Sequence, residues 1–179
     1  MKRIWNTVFI SYRRTDEAWA LLIYKALRQR GYDVFIDFLE ISSGAFESQI
    51  FENIDARAHF LILLTPNALD GLDSQDDWMR REVLHAMLQQ RNIVPVMLDG
   101  FGFESPLAQA RLIHDLAPLK KYNGLRVPSG YFDAAIAQLH ERYLSLEIDM
   151  VLRPLSDPAA QRALEQQAAA EEQIGSIGN

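Results

Sequence analysis

The sequence contains no cysteine. A disulfide framework, a thiolate metal site and a cysteine nucleophile are thereby excluded, and the absence fits a reducing, cytoplasmic setting. No window approaches the ~18 consecutive apolar residues that a membrane-spanning helix needs. The first apolar run stops at Ser11, short of a signal-peptide core. Positive charge is in deficit: 18 Lys and Arg face 24 Asp and Glu, a net charge of −6. No overall basic field draws the chain to nucleic acid or an anionic membrane, and neither is expected as a partner. A glycine-rich phosphate turn is also missing. Ser11-Tyr12-Arg13-Arg14-Thr15 follows the first apolar run, so neither a dinucleotide fingerprint nor a P-loop is present. The four histidines, at 59, 85, 114 and 140, are scattered without ligand spacing. His59 and His85 read as structural, and no metal is expected. No serine sits in a nucleophile-elbow pattern.

What remains is 179 residues, 49% of them hydrophobic, enough for one domain with an appendage. Short apolar runs alternate with amphipathic stretches. Residues 7–11, 34–36, 60–64 and 93–98 read as strands, the third buried on both faces. Pro95 places the fourth at an edge, a bulge or a strand start. Helical spacing joins Trp19, Leu22, Ile23, Ala26 and Leu27, with Asp16 as cap and Gly31 as terminator. Further helices carry Phe46, Ile50, Phe51 and Ile54, then Met79, Val83, Ala86 and Met87, then Ile136, Leu139, Tyr143 and Leu146. A short helix and a last strand are expected within 111–122, the strand around Leu116-Ala117-Pro118-Leu119. The alternation predicts an α/β fold: a parallel sheet between two helical layers, joined by right-handed crossovers. Ligands then sit beyond the carboxyl ends of the strands, at loops 11–15, 38–45, 65–77 and 99–106. From about residue 151 the composition shifts to Ala, Gln and Pro with few apolar anchors. This tail reads as a linker or a solvated helix leading to a module outside the chain.

Three features at that rim could carry chemistry. Arg13 and Arg14 place two cations where a pyrophosphate would suit them. They read equally as a surface pair or as partners of the loop carboxylates. Trp78 and Glu82 lie four apart on one helix face, an indole for stacking and a carboxylate one turn on. Trp78 as a core plug beside an exposed Glu82 is the plainer reading. The loop 38–45 is long for a strand-to-helix connection, which suits either function or a plain connector. The acidic residues Asp73, Asp76 and Asp77 lack calcium-loop spacing and read as a solvated loop with a helix cap from Asp76 or Asp77.

Several of these segments carry a family likeness. Val8-Phe9-Ile10-Ser11-Tyr12-Arg13-Arg14 resembles the first motif of Toll/interleukin-1 receptor (TIR) domains. Gly31-Tyr32-Asp33-Val34-Phe35-Ile36-Asp37 resembles their second strand, followed by a BB loop with Gly44 and Phe46. Asp77-Trp78-Met79-Arg80-Arg81-Glu82 resembles the segment that bears the glutamate of NAD-cleaving members. Asn92 to Val96, Asp99-Gly100-Phe101 and Tyr122-Asn123-Gly124 extend the likeness across roughly residues 5–146. It is strongest toward the TIR domains of the animal axon-degeneration NADase and of bacterial TIR NADases.

The resemblance implies a flavodoxin-like, three-layer αβα fold with five parallel strands in the order 2-1-3-4-5. Residues 1–146 would be the TIR domain and 147–179 the tail. It implies an NAD⁺ glycohydrolase that releases nicotinamide and linear or cyclic ADP-ribose, in immune or antiviral signalling, with NAD⁺ as substrate and no cofactor. Glu82 would be the catalytic carboxylate and Trp78 the stacking surface. Tyr12, Arg13 and Arg14 would line the ribose and diphosphate, and nearby arginines would lower the Glu82 pKa. Ile41, Phe46 and Phe103 would wall the pocket. Ser42 stands where relatives carry a BB-loop acid, with Glu40 two residues earlier. The implied partners are further copies of the domain, assembled head to tail, and a fused or separate sensor. A TIR scaffold that recruits other TIR domains without catalysis is the alternative. A receiver-type module lacks the acidic cluster it would need after the first strand.

Overall fold

Runs of β-branched and aromatic residues pair as one sheet because each run buries both of its faces. The structure, a computed structural model, describes residues 2–39 and 46–177. The strands β1 (Arg3–Ile4), β2 (Thr7–Ser11), β3 (Asp33–Ile36), β4 (His59–Leu64), β5 (Asn92–Met97), β6 (Leu125–Arg126) and β7 (Glu147–Ile148) alternate with six helices. These are α1 (Glu17–Gln29), α2 (Glu47–Asp55), α3 (Trp78–Leu88), α4 (Pro106–Arg111), α5 (Phe132–Gln138) and α6 (Asp157–Ile177). Five strands form a parallel sheet in the order β3-β2-β4-β5-β6, the expected flavodoxin-like winding. β1 and β7 add a small antiparallel pair that the sequence reading did not anticipate.

Alternate residues of each strand enter opposite layers. Val8, Ile10, Val34, Ile36, Leu61, Leu63, Val94 and Val96 face the layer that holds α1 and α5. Phe9, Phe35, Phe60, Ile62 and Leu64 face Ile50, Ile54, Met79 and Val83 of α2 and α3. Phe9 stacks between Phe35 and Phe60, with ring centroids 4.9 and 5.3 Å away. On α1 the buried stripe is Ala20, Leu21, Ile23, Tyr24 and Leu27, and Leu22 is exposed.

Local signals explain the boundaries. Gly31 ends α1 at φ +89°, where the N–H of Tyr32 returns to the Leu27 carbonyl at 3.1 Å. Asp16 occupies the expected N-cap position of α1, but its side chain makes no capping hydrogen bond and accepts the Thr65 hydroxyl at 2.8 Å instead. Pro95 lies where β5 has β4 on one side and has not yet met β6, whose pairing begins at Val96. Its missing N–H therefore breaks no ladder bond on that side. The segment around Pro118 is not a strand. Residues His114–Lys121 wind in 3₁₀ turns, which suit the fixed φ of proline, and Leu116 and Leu119 share a buried face at the three-residue period. The last strand of the sheet is Leu125–Arg126.

The tail departs most from expectation. Residues 157–177 are helical, yet α6 is not solvated. It lies along β3 and against α1 and α2, and buries Ala159, Arg162, Ala163, Gln166, Gln167 and Ala170. Gln167 donates to the Val34 carbonyl at 2.7 Å and Asn53 to the Ala159 carbonyl at 3.2 Å. Polar anchors replace the apolar ones that the sequence lacks.

Phe9 occupies the centre of the aromatic stack, so Phe9→Ala should lower unfolding stability by about 3–5 kcal/mol. Denaturant titration checks this, and a loss below ~1 kcal/mol would contradict the packing described.

Candidate active site

The carboxyl ends of β2 and β3 and the first turns of α3 enclose a pocket of about 610 Å³. Ile10, Tyr12, Arg13, Arg14, Thr15, Asp37 and Ile50 form one side, and Asp76, Asp77, Trp78, Met79 and Glu82 the other.

Asp77 starts α3 by accepting the Arg80 N–H at 3.0 Å. That cap fixes the rotation of the helix, so Trp78 stands at the rim, 37% exposed, and Glu82 points inward, 6% exposed. The Arg81 guanidinium lies 4.9 Å from the Trp78 ring centroid and pairs with Glu47. One face of the indole is therefore already under a cation.

Glu82 accepts a hydrogen bond from the Ser11 hydroxyl at 2.8 Å. Burial pushes its pKa up to about 8, Asp37 and Asp77 add repulsion, and the Ser11 bond and Arg14 oppose them. Arg14 lowers this pKa as expected, but burial outweighs it. The other side chains explain why. Arg13 forms an ion pair with Asp77, and its Nε donates to the Ala68 carbonyl at 2.8 Å. Arg14 donates to the Phe38 carbonyl at 2.5 Å and the Tyr12 hydroxyl at 3.2 Å, and lies 4.0 Å from Asp37. The Tyr12 hydroxyl in turn donates to the Asp37 carbonyl at 3.0 Å. The cationic charge at this rim is thus shared with Asp37 and Asp77, and Arg14 offsets the burial of Glu82 only in part.

Tyr12, Arg13, Arg14, Trp78 and Glu82, singled out in the sequence, thus line one pocket. Phe103 does not join them. It packs edge-on against Phe101 at 5.3 Å, beyond β5 and separated from β2 by β4. Phe46 is half-buried under Arg162, 4.9 Å from ring centroid to guanidinium, and does not line the pocket. Ile41, Gly44, Glu40 and Ser42 lie outside the described residues. The sequence reading missed the parts played by Ser11 and Asp37, although both close the two strands it had placed at the rim. The histidines are engaged elsewhere: His85 with Asp55 at 2.7 Å, and His59 with the Trp5 carbonyl at 3.0 Å. No group of three metal-ligating side chains occurs among the described residues.

The raised pKa has a consequence for stability. From the ordinary 4.5 up to about 8, the unfolded chain ionises at Glu82 more readily than the folded one, so this residue's contribution to stability falls as pH rises through that window. Glu82→Gln keeps the acceptor for Ser11 and removes the buried charge. It should melt at a higher temperature than the wild type above pH 8 and at a similar temperature below pH 4.5. A difference that stays constant with pH would contradict the buried, proton-binding carboxyl.

A family model described as a TIR domain matches residues 8–139. The chain is 39% identical over 146 residues to NAD(+) hydrolase tir-1 of Caenorhabditis elegans, covering 79% of this chain and 15% of that protein. It is 34% identical over 136 residues to NAD(+) hydrolase SARM1 of Danio rerio, covering 74% of this chain and 18% of that protein. It therefore spans less than a fifth of the length of these curated relatives. Among solved structures, the TIR domains of the activated Roq1 resistosome align with a TM-score of 0.53 at 17% identity, covering 76% of this chain and 98% of that one. A metazoan TIR-STING receptor from C. gigas aligns with a TM-score of 0.53 at 22% identity, covering 82% and 42%. Those two likenesses concern the fold. With the matched residues running from β2 to the end of α5 and enclosing the whole pocket, the chain belongs to the TIR domain family.

Proposed function

We propose that this TIR domain cleaves the bond between nicotinamide and ribose in NAD⁺, with Glu82 as the catalytic carboxylate. The observation that carries the reading is the placement of Glu82: buried, hydrogen-bonded to Ser11, and one helical turn inside a half-exposed indole at the mouth of the pocket. The named activity of the two relatives, each at least 34% identical, supports it. The pocket volume is in the range of small-molecule sites.

The chemistry suits one acid. When the C1′–N bond breaks, nicotinamide takes the bonding pair and leaves neutral, so it needs no general acid. Positive charge develops on the ribose, and a positioned anion in a site shielded from water stabilises it. Water or an internal nucleophile then closes the reaction at C1′. Trp78 offers its ring edge and free face to the departing pyridine or to a base that follows it. Arg14 and Tyr12 lie toward the β3 side of the pocket, where the ribose and diphosphate would run. Arg13, already neutralised by Asp77, acts as a strut for the α3 cap.

A substrate with a cationic pyridinium ring assists its own catalyst. Docked beside Glu82, that charge favours the ionised carboxylate and opposes the desolvation that keeps it protonated. We also infer that the domain works as an assembly, in which neighbouring copies raise activity, in immune-type signalling. The naming of the Roq1 TIR domains as part of an activated resistosome agrees with this.

Incubation with NAD⁺ and chromatography of the products tests the assignment. The wild type should release nicotinamide, and Glu82→Gln should reduce kcat by roughly 10²–10³ while remaining folded. Trp78→Ala should raise KM and lower kcat together. The kcat/KM of the wild type should climb with pH and level off above about 8, the pKa of the free carboxyl. Self-association with NAD⁺ left intact would make the domain a scaffold instead. Specific activity should rise with protein concentration, and a flat response would remove the assembly step.

A further inference from the structure

The α6 helix lies outside the family-matched residues 8–139, yet it reaches the wall of the pocket. Arg162 and Gln166 sit one turn apart and are 4% and 1% exposed. Nη2 of Arg162 donates to Oδ1 of Asp37 at 3.2 Å. Nε2 of Gln166 donates to the same oxygen at 3.1 Å, and its Oε1 accepts the Leu39 N–H at 2.5 Å. One amide side chain thus holds both a carboxylate and the main chain two residues beyond it. The Arg162 guanidinium also covers the Phe46 ring. α6 thus touches both Leu39 and Phe46. Asp37 itself lines the pocket.

Docking alone does not require this arrangement. The helix already buries Ala159, Ala163 and Ala170, and a buried ion pair is a poor source of stability compared with packed apolar groups. Two buried polar side chains aimed at one carboxylate specify position instead.

We propose that Arg162 and Gln166 are positioning residues of the pocket: through Asp37 they fix the β3 end of its wall and balance the negative charge that Glu82 faces. The inference rests on the reading of this pocket as the NAD⁺ site and extends its working unit to α6. Asp37 faces Arg162 and Gln166 from α6 and Arg14 from the loop after β2, and its carbonyl accepts from Tyr12. Glu82 faces Ser11 and the charges of Asp37, Arg14 and Asp77. Removing the Arg162 cation leaves more of the Asp37 charge uncompensated, which makes Glu82 harder to ionise.

The titration of Glu82 in the full chain, labelled with ¹³C-glutamate, tests this without reference to turnover. The Glu82 resonance is the one lost in Glu82→Gln. Arg162→Met should raise the midpoint by about half a pH unit or more, and Asp37→Asn should lower it. In the Asp37→Asn background, where Arg162 has no carboxylate to hold in place, Arg162→Met should move it by less than in the wild type, because only the direct field of the guanidinium is left. Arg162→Gln carries the same expectations and serves if the methionine variant does not fold. The pH profile of kcat/KM should shift with the midpoint. A midpoint that does not respond to loss of the Arg162 charge, or responds equally in both backgrounds, overturns the proposal. A wild-type chain that leaves NAD⁺ intact while the midpoints move as described overturns the hydrolase reading and leaves the coupling standing.

Discussion

Glu82 has exchanged the hydration of a surface carboxylate for the hydroxyl of Ser11, 2.8 Å away, at the end of a sheet strand. Water stabilises an exposed carboxylate anion freely; this position does so sparingly, and negative neighbours make it worse. The surrounding architecture can be understood from that constraint. The cap by Asp77 sets the rotation of α3 that turns Glu82 inward. The same Asp77 holds Arg13, which anchors to the loop after β4 through the Ala68 carbonyl. Asp37, from the neighbouring strand, is tied to Tyr12, Arg14 and the final helix. Apart from that cap, each link joins a charged or polar group to a partner far away in sequence, so the pocket is a product of the whole sheet and not of one motif.

If NAD⁺ is the ligand of this pocket as proposed, a carboxyl raised to about 8 by burial is sensitive to the charge brought beside it. In the empty pocket it tends to keep its proton. A ligand that brings positive charge changes the balance, so the anion is strongest when there is charge for it to face. The same property disfavours a permanently charged cavity, which would have to be held open against the surrounding core. The stacked aromatic rings of Phe35, Phe9 and Phe60 join the two pocket strands to the central one.

Four of the five sheet strands were readable because each carries a run such as Val8-Phe9-Ile10 or Phe60-Leu61-Ile62, and such runs have few alternative fates; the fifth, Leu125–Arg126, carries none. The terminator Gly31 and a cap at Asp76 or Asp77 follow from local pattern, whereas spacing alone favoured Trp78 as a core plug beside an exposed Glu82, and the structure reverses that, with Trp78 at the rim and Glu82 buried. Three things were not readable. The charge state of Glu82 is set first by its burial and then by Asp37, Ser11, Arg14 and Asp77, groups that the fold gathers from distant segments, and no local pattern reveals that burial. The 3₁₀ winding around Pro118 replaced an expected strand because a proline and a three-residue period favour turns. The docking of α6 was hidden because its inward stripe consists of Ala, Arg and Gln. A search for apolar periodicity passes over such a stripe, although the spacing 159, 162, 163, 166, 167, 170 is helical. Phe103 shows the opposite failure: an aromatic placed at a strand end by likeness, which packs on Phe101 on the far side of β4.

The position of α6 along β3 also limits how copies of this domain can meet. β3 is one border of the sheet, and its backbone lies behind a helix of 21 residues. The opposite border, β6, is only two residues long. Among the described residues, then, neither border offers the stretch of open main chain on which a foreign strand could be added. If copies do assemble, the described surface offers side chains on helices and loops for the contact rather than an open strand. Such contact is specific in geometry and readily reversed, and it spares a parallel sheet from growing into an aggregate.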